Sequence, residues 1–285
     1  MATNEKDMMD TARVGTAPYL LNTAGSALAG SPLAFAHRGF APAGGENTLK
    51  AFAAAHDLGF AYLETDVRAT RDGVLVVFHD EDLSRLAGDP RRVAECTAAE
   101  LSGLRVAGEP IPTFDQLLRA FPRAHFNVDV KDAGSAALLA GAIGRHGAHG
   151  RVLVASFGGR RRRTVQRLLA GGGHHGTTVA ASPGVPGVAA AVLLGNIAPL
   201  PRAAFRRVAV LQVPEQHGPI RVVTPRFVGN AHAAGLQVHV WVVNEEQDMH
   251  RLLEMGVDGI MSDRADILAR VMTERGIWPQ NLQAG

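Results

Sequence analysis

The residues best suited to chemistry lie between positions 33 and 80. Glu64 and Asp66 stand two apart in an apolar, β-rich run, so both side chains should project from the same face of a strand. Two carboxylates held this close repel each other unless a cation lies between them, and oxygen ligands suit a hard divalent ion such as Mg²⁺ or Ca²⁺. His37 and His79 end two nearby apolar runs, and two imidazoles beside such a cation could act as general base and general acid.

Asp129 and Lys131 repeat the two-residue spacing on a later run. They should therefore point the same way, and Asp129 would add a third carboxylate to the predicted cation site. Lys131 and Arg38 would be free to hold an anion. Carboxylates, a cation and fixed positive charges together describe a phosphate site. The alternative is a set of structural ion pairs, in which Arg38 or Arg68 compensates the first two carboxylates and Lys131 pairs with Asp129.

Three further residues complete the candidate substrate site. Glu46 is predicted to orient Arg38 for bidentate binding of a phosphate. Asn47 either contacts the substrate or caps the helix that begins near Thr48. Trp241 either forms a wall of the pocket for the substrate alcohol or packs against the strand ends.

The elements that must position these residues are short β-rich runs that alternate with helix-length segments. This order predicts an α/β fold with a parallel sheet closed into a TIM (β/α)8 barrel, and the runs are apolar throughout, as burial on both faces requires. An open doubly wound sheet is the alternative. Active residues of such a barrel gather at the carboxyl ends of the strands, so the residues above should share one rim with Ser156, Gln212 and Asn244. The predicted strands are 33–37, 61–68, 126–131, 152–157, 178–181, 208–213, 238–243 and 259–262, and the predicted helices are 49–58, 136–145, 160–169, 225–234, 245–255 and 266–275.

A single barrel should occupy residues 31–275, since no long repeat and no linker divides the chain. Residues 1–30 are predicted to form a tail or a strap over the barrel base, and residues 276–285 a second tail. A small insertion should follow the second strand. A turn and an extra strand at 74–78 precede it, and the insertion itself is predicted as an irregular segment at about 81–110.

Composition and charge exclude several classes of protein. Apolar residues make up 46% of the 285 and charged residues 20%, so the chain can bury a large core and is not disordered. A net charge of +2 does not indicate a nucleic-acid partner, and a single cysteine, Cys96, excludes an intrachain disulfide framework and a cysteine zinc cluster. No secretory signal or membrane span is evident, which predicts a cytoplasmic protein without an integral membrane segment. The sequence does not indicate an oligomeric state.

Two polar clusters outside the candidate site invite other interpretations. Arg160–Arg163 should form a solvated helix face, because no aromatic platform for nucleic acid accompanies it. His174 and His175 lie among glycines without carboxylate neighbours, which disfavours a metal site there.

Eight short motifs follow one another along the chain: His37-Arg38-Gly39, Glu46-Asn47-Thr48, Glu64-x-Asp66-Val67, Asp72-Gly73 to His79-Asp80, Ile111-Pro112-Thr113-Phe114, Asn127-Val128-Asp129-Val130-Lys131, Val240-Trp241-Val242-Val243-Asn244 and Gly256-Val257-Asp258-Gly259-Ile260-Met261-Ser262-Asp263. In this order they resemble the signature of the glycerophosphodiester phosphodiesterase family. The resemblance runs from about Leu33 to Val271, and the ordered set is far more specific than any of its members.

This resemblance implies a metal-dependent TIM barrel that cleaves glycerophosphodiesters to glycerol 3-phosphate and an alcohol. Carried over by position, Glu64, Asp66 and Asp129 are the ligands of one divalent cation, and His37 and His79 are the acid/base pair.

The chain departs from the family pattern at a few positions. Asp129 stands where the family often has glutamate, so a shorter side chain supplies the same kind of oxygen. Val243 and Ser262 replace common threonines, and neither change touches an ionisable group. The insertion at 81–110 matches one that the family carries, although its part at Leu86–Pro90 lacks the usual residues.

Three questions about the reaction stay open. The attacking group is either water or the substrate's own 2-hydroxyl, which would give a cyclic phosphate first. The substrate is a simple glycerophosphodiester or, in a phospholipase D-like enzyme, a lysophospholipid or sphingolipid, which would require an apolar groove for an acyl chain. The third question is whether the barrel only binds a phosphoester. The complete histidine pair argues against that, because a binding protein needs no acid and base.

Overall fold

The computed structural model describes residues 17–24, 26–171 and 179–280. Within these ranges, eight parallel strands alternate with eight helices. The strands are β1 Leu33–Ala36, β2 Tyr62–Ala69, β3 His125–Val130, β4 Val152–Ala155, β5 Ala180–Ala181, β6 Val210–Pro214, β7 Gln237–Trp241 and β8 Gly259–Ser262. The helices are α1 Leu49–Asp57, α2 Phe114–Ala120, α3 Ala133–Arg145, α4 Gly159–Gly171, α5 Val185–Gly195, α6 Pro225–Ala233, α7 Glu246–Glu254 and α8 Ala265–Glu274.

The eight strands form a nearly closed barrel. Their order in space is β5-β4-β3-β2-β1-β8-β7-β6, and all neighbours in this order are parallel. Where β5 and β6 meet, the Ala209 amide donates a hydrogen bond of 3.0 Å to the Ala181 carbonyl. The fold is the predicted TIM barrel, and the open doubly wound alternative is wrong.

Helix α5 was not among the helices predicted from the sequence. Helix α5 occupies Val185–Gly195, a segment in which prolines and glycines argue against a helix. Pro186 lies in the first turn of α5, where a missing N–H removes no intrahelical hydrogen bond. The predicted fifth strand begins at Thr178, outside the described residues, and its observed part is Ala180–Ala181.

Side chains along each strand alternate between the surrounding helices and the barrel interior. The lower half of the interior is apolar and aromatic, with Phe35 of β1 opposite Tyr62 of β2. Towards the carboxyl ends the inward positions become polar, and Asp66 stands beside Asp129 of β3. Within the barrel interior, the carboxylates of Asp66 and Asp129 therefore lie at the upper end, above a packed apolar layer.

Both ends of the described chain pack on the barrel. Tyr19 and Leu20 are fully buried in the lower interior cluster, and the Tyr62 hydroxyl donates to the Tyr19 carbonyl over 2.6 Å. Near the other terminus, the Gln280 side chain is buried, accepts from the Ala34 amide and donates to the Pro32 carbonyl. The predicted tails therefore contain residues with fixed contacts, at least over 17–24 and 276–280.

The insertion after β2 has a small core of its own. Strand Leu75–Val77 adds to β2 in antiparallel register, and two short hairpins and three short helical segments follow between residues 82 and 110. Their apolar side chains, including the buried Cys96 and Leu101, form a cluster separate from the barrel core. The insertion therefore packs as a compact unit beside the rim.

Two sequence expectations about surfaces can be compared with the structure. In the described parts of the chain, no helix is long and apolar enough to cross a membrane. The solvated face predicted for Arg160–Arg163 is wrong for two of its members, because Arg161 donates to the Val130 carbonyl and Arg162 is buried. His174 and His175 lie outside the described residues.

Candidate active site

A cavity of about 600 Å³ opens at the carboxyl ends of the strands. The two histidines and three carboxylates singled out from the sequence all line it, together with two basic side chains and Trp241. Its polar and charged lining includes His37, Arg38, Glu64, Asp66, His79, Asp129, Lys131, Ser156 and Gln212. Asn244, predicted on the same rim, lies in the adjacent pocket beside Trp241.

The turn after β1 presents His37 and Arg38 to the cavity. Arg38 adopts φ 56° and Gly39 φ 83°, and a Cβ on Gly39 would lie 2.6 Å from the Ala51 backbone carbon. Only glycine fits that close approach to α1. The Arg38 amide donates to Glu64 Oε2 over 3.1 Å, so the turn is also tied to the carboxylate cluster.

The Arg38 guanidinium bridges two carboxylates. Nη1 donates to Glu46 Oε1 over 2.7 Å, as expected for a residue that orients Arg38. Nε lies 3.1 Å from Asp66 Oδ2. One edge of the guanidinium is thus held by Glu46, while the other edge contacts Asp66 in the cavity.

Asn47 braces Asp66 and does not cap α1. Thr48 is the N-cap, because its side chain accepts from the Ala51 amide, so that interpretation of Asn47 is wrong. The Asn47 side chain donates to Asp66 Oδ2 over 3.0 Å and accepts from the Thr65 hydroxyl over 2.9 Å. It is only 2% exposed, and in this arrangement its amide is engaged by the protein.

Glu64 and Asp66 are buried side by side, with opposite effects on their pKa values. Burial, and then the neighbouring Asp66 charge, raise the pKa of Glu64 to about 7. Burial also opposes the charge of Asp66, but Lys131 and Arg38 outweigh it and hold the pKa of Asp66 below its usual value. The cluster therefore has one firmly ionised carboxylate and one whose charge is incompletely compensated.

Lys131 lies between Asp66 and Asp129. Its Nζ is 2.8 Å from Asp66 Oδ1 and 2.6 Å from Asp129 Oδ2, which is the ion pair considered as the alternative to phosphate binding. Burial raises the pKa of Asp129. Its second oxygen, Oδ1, is buried and has no hydrogen-bond partner among the described residues.

The donor chemistry of this cluster suits a hard cation, although the three carboxylates are not drawn tightly together. Within the described residues, the ligand atoms of Glu246, His250 and Glu274 form the set of three that lies within 4.8 Å of one another, so those of Glu64, Asp66 and Asp129 do not. A cation bound here would still provide a partner for the buried, unpaired Asp129 Oδ1 and for the incompletely compensated charge of Glu64.

Each candidate catalytic histidine is held by an aspartate. His37 Nδ1 lies 2.6 Å from Asp263 Oδ1, and His79 Nδ1 lies 2.7 Å from Asp80 Oδ1. A carboxylate only accepts hydrogen bonds, so each Nδ1 carries the proton and each Nε2 is left for other partners. His37 Nε2 is 3.7 Å from Glu64 Oε2.

These aspartates are the main site residues to which the sequence assigned no role. Asp80 directly follows His79, and Asp263 ends the last family-like stretch, so both were visible in the motifs without a function. Asn244 donates to Asp263 Oδ2 over 2.9 Å. Arg85, in the insertion, donates to both Asp80 and Glu46, and its contribution has no local sequence signal.

The side of the cavity opposite the carboxylates is mostly apolar. Trp241 lines it and meets Phe157 edge to face, with ring centroids 6.0 Å apart. Lys131 Nζ stands 5.6 Å from the centre of the Phe157 ring. The Gln212 side chain is buried, and its Nε2 has no partner among the described residues. It is therefore a free donor in the cavity wall.

The sequence is similar to one protein family along most of its length. A model of the glycerophosphoryl diester phosphodiesterase family matches residues 37–267. The chain is 41% identical, over 87% of its length and 94% of the relative's, to a probable glycerophosphodiester phosphodiesterase 2 of Mycobacterium tuberculosis.

Two solved structures share the fold. One is a putative glycerophosphoryl diester phosphodiesterase of Silicibacter pomeroyi, with a TM-score of 0.70 and 24% identity over 86% of this chain and 94% of that one. The other is an Oleispira antarctica phosphodiesterase in complex with the product sn-glycerol-3-phosphate, with a TM-score of 0.69 and 22% identity over 85% of this chain and 97% of that one.

Proposed function

The chain belongs to the glycerophosphoryl diester phosphodiesterase family and is an enzyme that hydrolyses glycerophosphodiesters, and we propose that it does so with a divalent cation and a pair of histidines at the barrel mouth. The observation that carries the proposal is that two aspartate-held histidines, three carboxylates and two basic side chains line one cavity. The products would be glycerol 3-phosphate and an alcohol. The related Oleispira antarctica phosphodiesterase, described with sn-glycerol-3-phosphate as its product, supports this choice.

Glu64, Asp66 and Asp129 would hold one cation, Mg²⁺ or Ca²⁺. The proposal is supported by three buried carboxylates, by the unpaired Asp129 Oδ1, and by the burial and the repulsion from Asp66 that together raise the pKa of Glu64. A divalent cation bound here would polarise a phosphoryl oxygen and neutralise the charge of the five-coordinate transition state.

His37 and His79 would carry the proton transfers. One ring accepts a proton from the attacking water or substrate hydroxyl, and the other donates a proton to the leaving alkoxide. The aspartate contact at each Nδ1 supports this role, because it fixes the ring orientation and leaves Nε2 for the reacting groups.

Arg38 and Lys131 would bind the phosphate and stabilise its extra negative charge. Glu46 would direct the Arg38 guanidinium, Asn47 would keep Asp66 in place beside the substrate, and Trp241 would form one wall of the pocket. Arg38 and Lys131 already line the cavity as paired cations, so their charge is available to an anion that displaces the carboxylate contacts.

The test is an assay of purified protein on glycerophosphocholine, with detection of glycerol 3-phosphate and of choline. Chelator should abolish turnover, and Mg²⁺ or Ca²⁺ should restore it. Glu64→Gln and Asp66→Asn should lose cation binding in calorimetry with the metal alone. Full turnover in chelator would contradict metal dependence, and tight binding without turnover in either ion would favour a silent binding barrel.

The same assay separates the two routes of attack. Phosphorus NMR during early turnover should reveal a cyclic glycerol phosphate if the substrate's 2-hydroxyl attacks first. Attack by water would give glycerol 3-phosphate without that signal.

A further inference from the structure

Acidic residues are missing from one long stretch of the chain. Residues 133–214 contain ten arginines but no lysine, aspartate or glutamate, although the whole chain carries a net charge of only +2. The remaining residues are therefore net acidic. In the fold this stretch supplies α3 to α5 and β4 to β6, which follow one another around the barrel. One side of the barrel is thus basic, a charge asymmetry that points to an anionic partner.

Exposed apolar side chains gather at the barrel mouth on the same side. In the part of the chain that the structure describes, eight large apolar side chains are exposed, and seven of them lie on α5, just after it, or on loops that follow β4, β6 and β7. A contiguous exposed patch of this kind marks an interaction surface, whereas single exposed apolar residues are ordinary. We call six of these residues the apolar collar: Phe157, Val185, Leu193, Leu194, Ile197 and Ile220.

Helix α5 lies along the rim. At its start, the Val185 amide donates to the Phe157 carbonyl after β4 over 3.2 Å, and just past its end Asn196 Oδ1 accepts from Thr224, the N-cap of α6. From Val185 to Gly195 the helix carries no polar or charged side chain. A helix that is apolar all round is normally covered on every side, but Leu193 is 68% exposed. Its outer face therefore lacks a partner.

Exposed cations flank the apolar collar. Two lie at the start of α4, which begins beside Phe157, one ends the hairpin after β6 (residues 216–221), and one lies in the first turn of α6. None of the four has an ion-pair partner among the described residues, whereas Arg91 and Arg92 of the insertion meet Asp89 and Glu81. The four exposed cations are Arg160, Arg163, Arg221 and Arg226.

We propose that the apolar collar and these four arginines form a docking surface for a lipid bilayer that contains anionic lipids. The apolar side chains enter the boundary between headgroups and acyl chains, and the arginines contact lipid phosphates. The docked protein turns its cavity mouth towards the bilayer. This interaction goes beyond the proposed function and does not depend on the reaction.

The charges disfavour the other occupants of such a face. In a two-fold dimer the same patch lies on both subunits, so the four arginines of one copy would meet those of the other, and like charges across an interface repel. A nucleic acid would pair with the arginines, but protein–nucleic acid interfaces are polar and would leave Leu194 and Ile197 without an apolar partner. An anionic bilayer matches both the charge and the apolar side chains.

The first experiment measures cosedimentation of the purified protein with sucrose-loaded vesicles. Mixed vesicles contain one part phosphatidylserine to two parts phosphatidylcholine, and control vesicles contain phosphatidylcholine alone. Chelator in all samples prevents bridging by divalent cations and keeps binding separate from turnover. We expect binding to the mixed vesicles that is weaker on the control vesicles and weakened by high salt. Failure to sediment with the mixed vesicles would overturn the inference.

The second experiment removes apolar side chains of the collar that do not line the cavity. The double variant Leu194→Gln with Ile197→Gln should lower the partition coefficient on mixed vesicles by at least about tenfold, because two side chains no longer leave water on docking. Leu168→Gln is the matched control, since Leu168 is 47% exposed on α4 and lies outside the collar. Circular dichroism melting verifies the fold of each variant. Equal losses in the two proteins would contradict docking through the collar.

The third experiment removes charge. Arg221→Gln with Arg226→Gln should weaken binding about 25-fold, roughly fivefold for each arginine near an anionic surface. Arg119→Gln with Arg123→Gln makes the same change of net charge at the opposite end of the barrel, after α2, where both side chains are exposed. That control should bind like the wild-type protein. A similar loss in both double variants would mean that only net charge matters, and the docking surface would be wrong.

The same variants identify the other occupants. If the Leu194→Gln, Ile197→Gln protein sediments like the wild type while Arg221→Gln with Arg226→Gln abolishes binding to both vesicles and a single-stranded oligonucleotide, the face is a polyanion site and the inference is wrong. Sedimentation velocity tests for a second copy. A concentration-dependent dimer that the collar variant dissolves, on protein that does not bind vesicles, would likewise overturn it.

Discussion

Histidines occur at both ends of the barrel interior, and the two ends use them in opposite ways. At the mouth, His37 and His79 each meet an aspartate at Nδ1. Lower in the barrel, His125 and His239 pack against aromatic rings, and their Nδ1 atoms have no hydrogen-bond partner among the described residues. The same side chain therefore meets anionic partners at one end and an apolar layer at the other.

The surroundings move the histidine pKa values in opposite directions. Burial opposes the charge of His37, but the Glu64 and Asp263 carboxylates outweigh it and raise its pKa. Burial lowers the pKa of His125 and of His239 to about 4 each. The two pairs of histidines thus differ in whether a carboxylate lies within hydrogen-bond distance of Nδ1, and four predictions test whether that contact also separates them in function.

The largest effect should come from the mouth. His37→Ala or His79→Ala should lower kcat for glycerophosphocholine by roughly 10² to 10⁴, because each removes one proton-transfer group. His146→Ala is the matched control, since His146 also pairs with an aspartate, Asp115, on the outer surface. If both mouth variants kept full metal-dependent activity, the acid/base assignment would be wrong.

The next largest effect should come from a histidine of the lower barrel. It should be an effect on stability rather than on catalysis. Because the folded pKa of His239 is about 4, below the ordinary 6.5, its neutral form stabilises the fold above pH 6.5. That contribution, at most about 3 kcal/mol, should be lost as the pH falls towards 4. His239→Gln should flatten the acid side of a urea-unfolding profile measured between pH 4.5 and 7.5. An unchanged slope would mean that His239 does not control it.

The aspartates that contact His37 and His79 should have intermediate effects. Asp263→Asn and Asp80→Asn keep the shape of the side chain but remove the charge that orients and stabilises each ring. A loss of about 10- to 100-fold in kcat is expected, with the kcat–pH profile shifted for Asp263→Asn because the pKa of His37 should fall. A purely structural role would instead lower the melting temperature and leave the pH profile of the surviving activity unmoved.

The smallest effect should come from a histidine outside the interior. A hydrogen bond to Asp258 raises the pKa of the half-buried His232, so its contribution is present below about pH 6.5 and is lost as the pH rises through the folded value. This sign is opposite to that of His239. His232→Gln should cost less than about 1 kcal/mol, visible as a small loss of unfolding free energy at pH 6 that vanishes near pH 8.5. A loss that grows with pH would contradict the assignment.

The local pattern of the sequence was sufficient to predict the architecture and most residues of the candidate site. The alternation of strands and helices predicted the barrel, and the two-residue spacing of Glu64 with Asp66 and of Asp129 with Lys131 predicted which way they point. These features follow from the period of a strand and from the rule that parallel strands end at one rim. They need no knowledge of which strands become neighbours.

The remaining features depended on the closing of the barrel. Asp263 reaches His37 from 226 residues away, and Arg85 reaches Glu46 from the insertion. Lys131 takes the space between Asp66 and Asp129 only because β2 and β3 are adjacent. Helix α5 forms in a proline- and glycine-rich segment and lays an apolar face beside the charges. Sequence periodicity records the direction of a side chain along its own strand or helix, whereas its partner is chosen by contacts made across the folded barrel.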